Sequence, residues 1–147
     1  MGRMVQAPLN SITVSSDATQ DLWSLMAAAT NKLILHGWEI SSDAIEATLL
    51  ECTLKRLTAV GSGGTALTEV KLDTDDGSIT ASARAGDTTP GTAGDILAGF
   101  QWEQLGPLGI IYTPEIRPVI EVSTGIALVC NTADAFEMSG WICWEEL

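Results

Sequence analysis

Residues 48–58 read Thr48-Leu49-Leu50-Glu51-Cys52-Thr53-Leu54-Lys55-Arg56-Leu57-Thr58. Leu50, Cys52 and Leu54 alternate with Glu51, Thr53 and Lys55. Successive strand side chains point to opposite faces, so this period of two predicts a half-buried β-strand. On its N-terminal side, residues 32–40 form an apolar run that stops at the turn cluster Ser41-Ser42-Asp43. On its C-terminal side, Gly61-Ser62-Gly63-Gly64 is a flexible loop, followed by a short strand at 69–72. Asp73-Thr74-Asp75-Asp76-Gly77 is a turn, because Asp bonds its own backbone and Gly accepts positive φ.

The same rhythm continues to the C-terminus. Ile79, Ala81 and Ala83 share a face in 78–84. Residues 86–94 are loop, and 95–103 is a strand carrying Ile96, Phe100 and Trp102. Residues 104–109 turn at Pro107, 110–112 is short, and 118–122 and 126–130 are strands split by Ser123-Thr124-Gly125. In 135–146, Phe136, Met138, Ile142 and Trp144 face one way, and Glu137, Ser139, Trp141, Cys143 and Glu145 the other. About nine short strands with frequent turn signals indicate an all-β sandwich rather than a βαβ fold. The expectation is a jelly-roll-like β-sandwich of about eight to ten antiparallel strands over residues 11–147, preceded by an extended N-terminal arm at 1–10. Pro8 and the lack of periodicity argue against a helix in that arm. Residues 21–29 are ambiguous: Leu22, Leu25, Met26, Ala29 and Leu33 have helical spacing with Ser16 or Asp17 as N-cap, whereas Trp23, Leu25 and Ala27 alternate as in a strand.

The chain has 147 residues, which suits one domain, and a net charge of -12. That field repels phosphate backbones and anionic headgroups, so nucleic acid and membrane surfaces are not expected partners. Hydrophobic residues make up 46% and the mean hydropathy is +0.22, which fits either a well-filled core or a surface buried against other subunits. Cys52, Cys130 and Cys143 are too few and too far apart for a disulfide framework or a zinc site, and read as thiols made in a reducing cytoplasm. The sequence leaves one intramolecular bond open. The N-terminus lacks the apolar run of a signal peptide, and no stretch reaches the roughly 20 apolar residues of a membrane span.

Each candidate for chemistry has a plainer reading. His36, the sole histidine, sits in the apolar run Ile34-Leu35-His36-Gly37-Trp38 and reads as a structural strand residue. Gly61-Ser62-Gly63-Gly64 lacks the Lys-Ser/Thr of a phosphate loop. Asp73, Asp75 and Asp76 approach a calcium-loop spacing but stop short of it at Gly77. Glu145-Glu146 could serve a glycosidase only if the two carboxylates converge. The chain is therefore expected not to be an enzyme and to take no cofactor or metal.

Five tryptophans against one tyrosine and two phenylalanines is an unusual balance. Trp38 and Trp144 fit core faces, and Trp23 is unplaced. Trp102 and Trp141 are candidates for a subunit interface, for a face covered by a second sheet of the same chain, or for a sugar-stacking platform. The candidate interface residues are Met4 and Val5 in the arm, together with Trp23, Trp102, Tyr112 and Trp141.

Three stretches, DLWSLMAAATNKLILHGWEISS at 21–42, LLECTLKRLTAVGSGGTALTEVKLDTDD at 49–76 and AGFQWEQLGPLGIIYTPEIRPVIEVSTGIALVCNTADAFEMSGWICWEEL at 98–147, carry a resemblance. The chain resembles small phage and prophage head proteins of the capsid decoration, or cement, type with a jelly-roll β-sandwich. The most specific pieces are Lys55-Arg56 running into Gly61–Thr65, the segment 115–118, and the terminal strand through Met138-Ser139-Gly140 to Trp144-Glu145-Glu146. The loop after Gly94 is shorter than the family's. The resemblance implies strand at 21–29. It further implies a virion protein made in the host cytoplasm, a homotrimer bound to the major capsid protein on the outside of the head, where it stabilises the lattice. A head–tail connector or tail structural protein and a carbohydrate-binding adhesin module are the alternatives.

Overall fold

A computed structural model describes residues 2–16 and 18–147. Among the described residues there are twelve strands: β1 (Arg3–Val14), β2 (Ala18–Met26), β3 (Leu33–Ser42), β4 (Leu49–Ala59), β5 (Thr65–Ala66), β6 (Val70–Lys71), β7 (Ser82–Asp87), β8 (Thr92–Glu103), β9 (Leu108–Ile111), β10 (Val119–Ile120), β11 (Gly125–Thr132) and β12 (Phe136–Glu146). A one-turn 3-10 helix, Pro114–Ile116, lies between β9 and β10. Two antiparallel sheets face each other. The first runs β10-β3-β12-β1-β6, with β9 also on β3, and the second runs β5-β7-β2-β11-β4-β8.

The pairing is nested. β1 pairs with β12, β2 with β11, β3 with β9 and β10, and β4 with β8. The two antiparallel sheets make the chain an all-β sandwich, as expected. β5, β6 and β7 are an insertion that extends both sheets on the side of β1 and β2. The strand count exceeds the expected eight to ten; β6 and β10 fall within the expected strands at 69–72 and 118–122, whereas β5, a two-residue piece, falls in none.

The ambiguous stretch is strand over residues 21–26, in β2, paired on both sides by β7 and β11; residues 27–29 lie beyond its end. Helical spacing in Leu22, Leu25 and Met26 loses to those two ladders, as tertiary pairing commonly overrides local pattern. The alternative N-cap Asp17 lies outside the described residues. The arm is corrected: residues 3–10 belong to β1, which sits between β12 and β6 with Val5 and Ala7 fully buried. Pro8 is accommodated opposite Trp141, facing outward, so it signals no departure from the sheet.

The core fills the space between the sheets. Leu50, Cys52 and Leu54 point into it as the period of two predicts. Trp23, Trp38, Trp102 and Trp144 are its largest buried side chains. Trp23 lies 5.5 Å from Trp38, and Trp38 meets Phe100 edge-on at 5.5 Å. Trp102 meets Phe136 edge-on at 5.7 Å, and its Nε1–H donates to the Gly106 carbonyl at 2.8 Å. Such tilted pairs are worth about 0.5–1.5 kcal/mol each beyond their buried area.

Candidate interaction face

The outer faces of the two sheets differ. On the second sheet, Ala127, Val129 and Leu57 point away from the core yet are buried. Residues 60–64 and 88–91, joined to each other through Ser62 and Thr89, form a strap whose Gly91 lies against Leu57. Two carboxylates latch it. Oδ2 of Asp21 accepts the Gly91 N–H at 2.8 Å, and Oδ1 of Asp87 accepts the Gly64 N–H at 2.9 Å while Arg84 grips the same carboxylate. Asp21 is 1% exposed, its Oδ1 has no partner among the described residues, and burial pushes its carboxyl above the ordinary value, with Asp87 adding to the effect. The glycine-rich loop is thus a strap and not a phosphate cradle: close approach leaves no room for a Cβ at Gly61 or Gly91.

The outer face of the first sheet carries no such strap among the described residues. Alternation along β1 turns Met4, Gln6 and Pro8 outward while Val5, Ala7 and Leu9 enter the core. Along β12, Trp141, Cys143 and Glu145 turn outward while Ile142, Trp144 and Glu146 are buried. The ladders place Pro8 beside Trp141, Gln6 beside Cys143 and Met4 beside Glu145, then continue through Gly37 of β3 to Ile111 of β9. The Trp141 ring reaches over Gly37, with Cη2 3.4 Å from where a Cβ on residue 37 would stand, and that Cβ would first meet the Ile110 carbonyl of β9. Ile111 is 77% exposed. Cys143 is half-buried with its thiol pushed up by burial, which leaves little thiolate for chemistry.

Of the six candidate interface residues, the structure brings together two. Met4 and Trp141 share this face, about 13 Å apart along the ladder at roughly 3.3 Å per residue. Val5, Trp23 and Trp102 are 0–1% exposed and Tyr112 is 8% exposed, so these four are core residues of the chain itself. The opposing sheet covers Trp23 and Trp102, an outcome the strand pattern alone could not separate from a subunit interface. Pro8, Cys143 and Ile111 were missed. The period of two in 135–146 already aligned Cys143 with Trp141, whereas Ile111 joins only through the β3–β9 ladder.

The remaining chemical candidates have structural roles. His36 Nε2 lies 3.3 Å from Glu145 Oε2 on the outer face. Glu146 is buried, pairs with Arg3 at 2.8 Å and accepts the Thr80 and Ala81 N–H groups. Glu145 and Glu146 therefore point to opposite faces of β12 and do not converge as a glycosidase pair. The 73–77 turn is closed by its own bonds: Asp73 Oδ1 accepts the Asp75 N–H at 3.0 Å. Among the described residues no group of three His, Cys, Asp or Glu side chains is placed to hold a metal ion. Cys52 and Cys130 stand opposite each other in β4 and β11 as free thiols; their mutual hydrogen bond and burial push the Cys52 thiol far above its usual range. Comparison of the chain with family models, with curated proteins and with solved structures finds no match.

Proposed function

We propose that this chain is a structural virion protein, a capsid decoration protein that binds the outside of a phage head through the outer face of its first sheet. The observation that carries the reading is the contrast between the two sheets. One outer face buries Leu57, Ala127 and Val129 beside its own strap, and the other presents Trp141 over Gly37 among Met4, Pro8, Cys143 and Ile111. A half-buried indole surrounded by small and apolar groups is a favoured anchor at protein interfaces. The net charge of -12 suits a basic rim on the major capsid protein, which would speed encounter and set orientation. The sequence resemblance to head decoration proteins supplies the partner class. A lattice repeats each contact many times, so a few kcal/mol per copy suffices to stabilise a shell.

The test is co-sedimentation of the purified protein with heads assembled from the major capsid protein of the same phage. The native protein should pellet with the heads, and Trp141→Glu should stay in the supernatant while keeping its circular dichroism spectrum. Native protein that stays in solution with expanded heads overturns the reading. The sugar-stacking alternative loses one of its two platforms, because Trp102 is buried with its N–H satisfied.

A further inference from the structure

Cys52 and Cys130 are directly opposed in the ladder between β4 and β11, and both side chains enter the core. An antiparallel ladder alternates two kinds of opposed pair. In one kind the residues exchange main-chain hydrogen bonds. In the other they do not, and their Cα atoms stand closer, about 4.5 Å apart. The bonds on either side of β4 decide between the two. The Gln104 N–H donates to the Thr48 carbonyl at 3.1 Å, so Thr48 turns its main-chain groups toward β8. Strand alternation gives Leu50 and Cys52 the same direction, because the register with β8 is unbroken from Leu49 to Leu54. Glu51 therefore turns its carbonyl toward β11, where it accepts the Cys130 thiol at 3.3 Å. Cys52 and Cys130 are thus a non-hydrogen-bonded pair, the closer kind.

That separation lies within the roughly 4.4–6.8 Å that a disulfide spans between Cα atoms. Both side chains leave the same face of the sheet, and the two thiols hydrogen-bond to each other. Neither condition that demands backbone movement holds here, whether Cα atoms beyond about 7 Å or diverging side chains. Cys143 does not compete for either thiol: it lies in β12 of the other sheet and turns to the outer face. A bond between Cys52 and Cys130 would tie two neighbouring strands in the interior of the second sheet and close a loop of about 80 residues that carries the strap and β5 to β10.

We infer that Cys52 and Cys130 are a site of oxidative cross-linking, reduced in a thiol-rich compartment and closed to a cross-strand disulfide by a disulfide oxidant such as oxidised glutathione. One protein thiolate attacks the oxidant's S–S bond, releases a glutathione thiolate and leaves a mixed disulfide. The second protein thiolate attacks the protein sulfur of that mixed disulfide and releases the other glutathione. The two protein sulfurs lose two electrons to the oxidant, and their two protons end on the two glutathione thiols. Both cysteines are 1% exposed, so exchange waits on local opening. β8 is the outermost strand of its sheet and sets Phe100 opposite Cys52, so its release opens the path. The inference does not rest on shell binding, because it concerns the purified protein alone.

The test incubates the full chain in reduced and oxidised glutathione, both as folded protein and during refolding from urea. The samples are quenched with acid, alkylated in denaturant and read by mass spectrometry with peptide mapping. In oxidised glutathione the native protein should keep one alkylatable thiol, Cys143, with a Cys52–Cys130 disulfide within one chain. It should then melt higher than the reduced protein by roughly 5–15 °C, and dithiothreitol should remove the difference. Cys143→Ala should close the same bond, whereas Cys52→Ala and Cys130→Ala should each keep their remaining thiols and lose the redox-dependent shift. Three alkylatable thiols after refolding in oxidised glutathione overturn the inference. So does a disulfide that maps to Cys143, or an oxidised protein that melts below the reduced one.

Discussion

Asp21 shows how a single side chain trades stability for a latch. Its Oδ2 holds the strap through Gly91, but its Oδ1 is buried without a partner among the described residues and Asp87 stands nearby. Burial raises its pKa in the folded state above 3.8. A carboxyl with a raised folded pKa stabilises the fold most below its unfolded pKa, and that contribution is lost as pH rises through the folded pKa. Asn in its place keeps an oxygen for the Gly91 N–H and removes the buried charge. Asp21→Asn is therefore expected to be at least as stable as the native protein at pH 7. Its stability should also fall less than the native protein's as pH rises from 4 to 7, as read by urea denaturation. The two neighbouring tryptophans of β12 make the complementary case. Trp144 is fully buried, so Trp144→Ala should cost about 3–5 kcal/mol, whereas Trp141→Ala, on the outer face, should cost under about 1.5 kcal/mol in the same measurement.

Strand β1 matters most at the scale of elements. Read from the sequence, residues 1–10 are an extended arm; in the fold residues 3–10 lie in the middle of a sheet. β1 pairs with β12 over almost its whole length and with β6 on its other side. Removing residues 1–10 would strip Val5, Ala7 and Leu9 from the core and leave β12 with an unpaired edge. The truncated chain should lose its cooperative thermal transition or aggregate, measured by circular dichroism and light scattering. A truncated protein that melts like the full chain would show that β1 is dispensable. Gly140 marks the same ladder from the other side. Its φ is +154°, and a Cβ would run into the Glu39 carbonyl of β3, so the close approach of β12 to β3 depends on glycine there.

For the molecule as a whole, the nested pairing makes the first strand meet the last. Contacts of such long sequence separation must close large loops before any ladder repays the entropy, which slows folding. Refolding followed by tryptophan fluorescence in a stopped-flow instrument should run in milliseconds to seconds; microsecond refolding would contradict the topology. The four core tryptophans make the signal large, and each reports on the closing of the two sheets.

The sequence by itself determined the all-β class, the strand faces of 48–58 and 135–146, and the core placement of Trp38 and Trp144. Those features are local: a period of two is written into neighbouring residues and needs no partner strand to be legible. Only the tertiary structure decided that residues 3–10 belong to the sheet, that 21–26 is strand, and that Trp23, Trp102 and Tyr112 are core while Met4 and Trp141 share an open face. A strand pattern states which residues lie on one side, not whether that side meets the chain's own second sheet, a strap or solvent. That choice is made by pairings between residues more than 100 positions apart, such as Pro8 with Trp141, and by two glycine-rich segments whose approach to Asp21 and Leu57 no local rule encodes.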